Sequence, residues 1–373
     1  MNKDTLGLYL HIPFCVQKCR YCDFCSFASS EAEREAYVSS LLSEILHAPE
    51  DRREVDSIFF GGGTPSLLTE DAFSRIFSAL RKRYCIAANA EITVEMNPGT
   101  VTGEKLSALR ALGVNRVSMG LQSSHNGELS ALGRIHTYEQ FLESFSLVRA
   151  SGIENINIDL MYAIPHQNVQ SFKETLSRVI ALSPSHISAY SLIIEEGTPF
   201  YRDRESLVLP SEEEEAEMYA LACEMLGAAG YRHYEISNYA KEGSLCRHNL
   251  RYWQGGDYLG FGLAAHSLYR GERMANTEDF KEYLENPHAY AEREKRDTLA
   301  EAEEYVMLGL RTSFGISLFE YRERFGKDLL EEKKEAISLF FEHGLLSIRE
   351  DRLSLTEKGF YLSNTVLCEL LSL

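Results

Sequence analysis

Leu6-Gly7-Leu8-Tyr9-Leu10-His11-Ile12 runs directly into Pro13-Phe14-Cys15-Val16-Gln17-Lys18-Cys19-Arg20-Tyr21-Cys22. The first seven residues are largely apolar, the pattern of a strand buried on both faces, and the cysteines follow as soon as that strand ends. Five further runs of the same kind occupy 55–60, 91–95, 114–120, 153–161 and 186–194. Amphipathic stretches of helical length lie between and after them, near 31–47, 69–83, 102–112, 138–150, 169–181 and 211–227. Six βα units in succession predict an α/β fold: a parallel sheet covered by helices, with right-handed connections, curling into a partial barrel.

In such folds chemistry sits where the strands end. The cysteine loop follows strand one, Gly61-Gly62-Gly63-Thr64-Pro65 follows strand two, and Glu95-Met96-Asn97-Pro98 ends strand three. Gln122 follows strand four and Asp159 ends strand five, so polar and glycine-rich residues are expected on one rim.

Beyond residue 230 the alternation stops. Residues 1–230 are therefore read as the barrel and 231–290, rich in Tyr, Gly and His, as an extension of it. Residues 291–373 are read as a separate C-terminal unit, reached through a charged helix at 288–296. Within that unit, the segments 345–349 and 352–356 flank a Glu350-Asp351 turn with helical patterns on either side, predicting a small winged-helix-like domain. Its acidic balance favours protein docking or packing over DNA binding.

The 373 residues carry 38 Lys and Arg against 56 Asp and Glu, a formal charge of −18, the wrong sign for a phosphate backbone. No nucleic-acid partner is expected. Hydrophobic content of 44% without a long apolar run, and an N-terminus lacking a secretory apolar region, predict a cytoplasmic protein with no integral membrane segment.

Eight cysteines are too few for a disulfide scaffold of this length, yet Cys15, Cys19, Cys22 and Cys25 crowd one segment, which points to metal. Three thiolates at C-x3-C-x2-C spacing suit a 4Fe-4S cluster whose fourth iron stays open. A structural zinc, with Cys25 as fourth ligand, is the alternative on spacing alone.

The stretch Tyr9 to Cys22 resembles the signature of radical SAM proteins. The resemblance implies a 4Fe-4S cluster on Cys15, Cys19 and Cys22 that chelates S-adenosylmethionine and cleaves it reductively to a 5′-deoxyadenosyl radical. Gly61 to Pro65 resembles the superfamily's glycine motif. Adding Glu95 with Asn97-Pro98, the run Ser118 to Gln122, Arg134 and the run Asn157 to Tyr162, the chain resembles the branch holding oxygen-independent coproporphyrinogen III dehydrogenase. That resemblance assigns Tyr9, Gly62 and Glu95 to the cluster-bound S-adenosylmethionine. It assigns Tyr21, Gly63, Thr64, Gln122, Arg134 and Asp159 to a second S-adenosylmethionine site.

Three features turn the comparison from the dehydrogenase toward the related heme chaperones. The dehydrogenase's long arm before the cysteine loop has no counterpart, and Phe24 stands where its fourth cysteine falls. The third is Cys246-Arg247-His248-Asn249-Leu250-Arg251-Tyr252-Trp253, which matches the His-Asn-x-x-Tyr-Trp motif of the chaperone branch. It implies heme contact by His248, Asn249, Tyr252 and Trp253, with His248 as axial ligand and Arg247 or Arg251 on the propionates. The expected activity is heme delivery to acceptor proteins such as respiratory-chain components. Oxidative decarboxylation of coproporphyrinogen III is the alternative, and RNA modification is disfavoured by charge.

Overall fold

The computed structural model describes residues 4–371. Six parallel strands, β1 (Leu6–Ile12), β2 (Glu54–Gly62), β3 (Cys85–Met96), β4 (Arg116–Gln122), β5 (Asn155–Tyr162) and β6 (His186–Ser191), pair in sequence order. The helices α1 (Glu31–His47), α2 (Glu70–Arg83), α3 (Gly103–Leu112), α4 (Tyr138–Ala150) and α5 (Val169–Leu182) connect them, and α6 (Glu212–Ala228) follows β6. Their starts are set locally: Ser30 with Glu33, Thr137 with Gln140 and Ser211 with Glu214 form capping boxes. The partial barrel of six βα units is therefore as expected.

Residues after 230 extend both edges of this sheet. β7 (Arg232–Glu235) and β8 (Asn238–Ala240) add antiparallel beyond β6. β9 (Tyr258–Phe261) pairs parallel to β1 and leads outward to β10 (His266–Tyr269), β11 (Glu272–Asn276) and β12 (Tyr290–Lys295). The twelve-stranded sheet stays open, its edges being β7 and β12.

The charged segment near 288–296 is the edge strand β12, a correction to the helix expected there. Its side chains are mostly exposed, so no buried stripe marks its period, and charge on an edge strand resists further pairing. Register decides it: Arg293 lies opposite Met274 and bonds Glu272.

One core lies between sheet and helices. Leu8, Leu10 and Ile12 point outward into it with Phe60, Phe73 and Phe77, all fully buried. The alternate residues Gly7, Tyr9 and His11, in register with Ser57, Phe59 and Gly61, face the lumen. A second core, including Leu310, Ile316, Leu353 and Val366, belongs to the C-terminal domain. That domain comprises α8 (Thr298–Gly309), β13 (Ile316–Ser317), α9 (Leu318–Phe325), α10 (Lys334–Glu342) and the hairpin β14 (Leu346–Arg349) with β15 (Arg352–Leu355), followed by two short helices. It is winged-helix-like, as expected, and β13 adds a third strand to the wing.

Candidate cofactor cavity and the barrel floor

The glycine run after β2 continues its pairing with β1 past the strand ends. Gly63 and Thr64 donate their main-chain N–H groups to Ile12 and Phe14 at 2.8 and 2.7 Å. A Cβ on Gly63 would lie 2.7 Å from the Phe14 carbonyl oxygen, and Gly62 has φ +106° with the His11 ring where its side chain would be. The backbone can approach a ligand here because nothing projects from it. The far half of the cysteine loop is pinned by Arg20, whose N–H bonds the Leu132 carbonyl and whose carbonyl accepts from Phe200, both at 3.0 Å.

These restraints place Cys15, Cys19 and Cys22 on the wall of a cavity of about 440 Å³ at the strand ends. Tyr21, Gly62, Gly63, Thr64, Glu95, Gln122, Arg134 and Asp159 share that wall. Cys25 does not line it; its carbonyl accepts from His11 Nε2 at 2.8 Å and its side chain packs against the core. Among the described residues, no three His, Cys, Asp or Glu side chains converge on a point that would hold a single ion. Tyr9 lies behind the wall, with its hydroxyl 3.0 Å from His11 Nδ1. Since His11 Nε2 must donate to the Cys25 carbonyl, Nδ1 accepts from Tyr9.

A polar network joins the sulfurs to the strand ends. Arg134 reaches Cys19 Sγ at 3.5 Å and donates to Asn97 Oδ1 and the Gly120 carbonyl, both at 2.7 Å. Asn97 donates to Thr64 Oγ1 at 2.7 Å, and Thr64 reaches Cys15 Sγ at 3.6 Å. Asp159 is held by Ser118 and Asn157 at 3.1 and 2.7 Å, so Arg134 and Asp159 are not partners of each other. Gln122 adopts φ 71°, a strained conformation for a non-glycine residue and one often kept for function.

Burial, with Asp159 nearby, pushes Glu95 up to about 8, while its Oε2 accepts from Gly62 N at 3.2 Å. His136 is a wall residue that the sequence reading missed. It is buried, its Nε2 has no partner among the described residues, and burial together with Arg134 lowers it to about 4. A backbone that leaves room at Gly62 and Gly63, an unpartnered imidazole nitrogen and three thiols on one wall fit a cluster with S-adenosylmethionine. Val16, Phe24, Ile135 and Ile193, all exposed, ring the mouth.

The run Cys246 to Trp253 lies at the opposite end of the strands. Arg247–Trp253 forms helix α7, and the Glu91 carboxylate accepts from the N–H groups of Arg247 and His248 at 3.1 Å each. This helix plugs the barrel floor. His248 is 1% exposed, stacked near Phe59 and Tyr9, with Nδ1 3.0 Å from Ser57 Oγ and Nε2 2.8 Å from Tyr252 Oη. Burial first, then Arg251 and Arg116, lower it to about 3.

The neutral ring has each nitrogen within hydrogen-bond distance of a hydroxyl, so His248, expected as an axial ligand, is here packed into the floor with both nitrogens paired. Of the two arginines expected near the propionates, Arg251 pairs with Asp56 and Arg247 donates to the Asn89 carbonyl. Asn249 is half-buried on the same helix. Arg251 and Trp253 of this run line a second cleft, of about 410 Å³, between α7 and the C-terminal domain.

The radical SAM superfamily model matches residues 9–179 and the HemN C-terminal domain model residues 298–362. Among solved structures, the coproporphyrinogen III oxidase of Escherichia coli, a radical SAM enzyme, superposes with a TM-score of 0.84 over 98% of this chain and 89% of that one. At 24% identity that likeness is one of fold. Fold and cavity together define a radical SAM protein.

Similarity over the whole chain narrows this. Heme chaperone HemW of Bacillus subtilis (strain 168) is 34% identical over 367 residues, 96% of this chain and 97% of that protein. Heme chaperone HemW of Escherichia coli (strain K12) is 43% identical over 264 residues, 70% and 69% of the two chains. The mitochondrial radical S-adenosyl methionine domain-containing protein 1 of Bos taurus is 33% identical over 392 residues, 100% of this chain and 88% of that one. The chain belongs to the HemW family.

Proposed function

We propose that this protein is a cytoplasmic heme chaperone that binds a 4Fe-4S cluster, S-adenosylmethionine and heme, and delivers heme to acceptors such as respiratory-chain proteins. The observation that carries the reading is end-to-end similarity to relatives named heme chaperones. No helix among the described residues is long and apolar enough to cross a membrane, which is compatible with it.

Cys15, Cys19 and Cys22 hold the cluster in this reading, and Cys25, outside the cavity, does not. When bound, the cluster and S-adenosylmethionine supply one-electron reductive chemistry. The chain's own residues bind and orient. Gly62 and Glu95 meet the methionine or ribose end of the cofactor. Tyr21, Gly63, Thr64, Gln122, Arg134 and Asp159 form the wall on which a second S-adenosylmethionine would rest, with Arg134 keeping Cys19 and Asn97 in register.

The test is an anaerobic transfer assay. Cluster-reconstituted protein is loaded with hemin and mixed with an apo-acceptor, and acceptor heme is followed by its Soret band. The same preparation is incubated with coproporphyrinogen III, S-adenosylmethionine and a reductant. Transfer without protoporphyrinogen formation is expected; protoporphyrinogen with no transfer would replace the chaperone with the decarboxylating enzyme.

A further inference from the structure

Where the barrel floor meets the C-terminal domain, the structure gathers arginines whose partners are neutral. Arg352 donates to the main-chain carbonyls of Phe314 and Gly315. Arg232 donates to Ser313 Oγ at 3.3 Å and lies 5.0 Å from the centre of the Phe314 ring. Arg311 lies 5.9 Å from the centre of the Trp253 ring. Arg349 is exposed at the end of β14 and lines the same outer cleft as Arg232 and Arg352.

The remaining arginines lining the seam are already answered, Arg251 by Asp56, Arg296 by Glu304 and Arg324 by Glu320. Glu350 is the one carboxylate lining the outer cleft among the described residues. On a chain of net charge −18, the outer cleft, with Arg232, Arg349 and Arg352 against Glu350, runs against the overall field, whereas the inner cleft is balanced by Asp257, Glu301, Glu304 and Glu320.

The cavity beside this charge is of ligand size. The inner cleft of about 410 Å³ and the outer one of about 560 Å³ share Gln254, Phe314 and Arg352. Both fall in the range of roughly 300–1,000 Å³ usual for small-molecule sites. Trp253, Phe314, Tyr305, Leu308 and Ile316 give the inner cleft an apolar surface. Aromatic faces bordered by guanidinium groups suit a flat, apolar molecule with carboxylates on one edge.

We propose that this seam is the docking site for heme, with the propionates on Arg232, Arg349 and Arg352 and the macrocycle against Trp253 and Phe314. The proposal rests on the heme-chaperone reading and locates its cargo. Recognition here is through carboxylates and apolar area, and His248 acts by fixing the helix that presents Trp253. The site lies across the barrel from the cysteine loop.

Hemin titration of the full-length protein tests this, read by the Soret band and by fluorescence of Trp253, the chain's one tryptophan. The variant is the double substitution Arg232→Gln with Arg349→Gln, both at exposed positions, and the second probe is hemin dimethyl ester, which lacks the propionate charges. Wild type is expected to bind hemin at least tenfold more tightly than the double variant does. The ester is expected to bind both proteins equally and weakly. Wild-type affinity for hemin in the double variant, or ester binding as tight as hemin, overturns the site and leaves the chaperone reading standing. Absence of hemin binding by wild type overturns both.

Discussion

His248 and Tyr252 close on each other across one turn of α7, with Nε2 and the phenol oxygen 2.8 Å apart, while Ser57 holds the other ring nitrogen. Hydroxyls from a strand and a helix thus pair both nitrogens of a buried neutral imidazole, whichever of the two carries the proton. The ring is part of the floor that closes the lumen.

Replacing it should therefore cost stability. His248→Gln leaves a buried hydroxyl poorly paired, a loss of about 1–3 kcal/mol at neutral pH in urea unfolding. The deficit should shrink in acid. The folded protein keeps His248 neutral down to about 3, whereas the unfolded chain takes up a proton below its ordinary value near 6.5. In that window the unfolded state binds more protons, so this residue lowers wild-type stability as pH falls, and the variant escapes the penalty. Between pH 7 and pH 5 the gap should narrow by about 2 kcal/mol. A gap that widens would mean a charged, accessible imidazole.

Single alanine variants of the four loop cysteines should separate three from one. Iron and sulfide analysis after anaerobic reconstitution should give no stable 4Fe-4S cluster in Cys15→Ala, Cys19→Ala or Cys22→Ala. A full complement is expected in Cys25→Ala, because Cys25 lies off the cavity wall. Loss of the cluster in Cys25→Ala would revive a four-thiolate site.

Binding of S-adenosylmethionine should release a proton near neutral pH. Glu95, at about 8 in the unliganded protein, is mostly protonated at pH 7, and a cationic ligand beside it favours the carboxylate. Affinity should then rise from pH 7 to pH 9. Calorimetry in buffers of different ionisation enthalpy measures the release directly, and Glu95→Gln should abolish it.

Heme binding should not need the cluster. The proposed seam and the cysteine loop occupy opposite ends of the barrel strands, so Cys19→Ala should bind hemin within about twofold of wild type, well inside the tenfold that 1.4 kcal/mol represents. A large loss would tie heme to the cofactor cavity.

The sequence alone determined the βα series, because buried parallel strands and amphipathic helices write their periods into adjacent residues. It also determined the cysteine loop and its neighbours at the strand ends, since a parallel sheet brings those ends to one rim whatever the details of packing. The edge strand at Tyr290–Lys295 escaped because exposure removes the apolar alternation that would reveal it. His136 escaped because a lone histidine has no spacing to announce it. Only the tertiary structure decided the fate of His248, whose partners Ser57, Phe59 and Glu91 stand far from it in the chain. The arginine seam was likewise invisible, being drawn from positions 232, 311, 349 and 352 on separate elements. Local pattern is carried by neighbours along the chain, but whether a side chain is a ligand or a floor tile depends on what the fold packs against it.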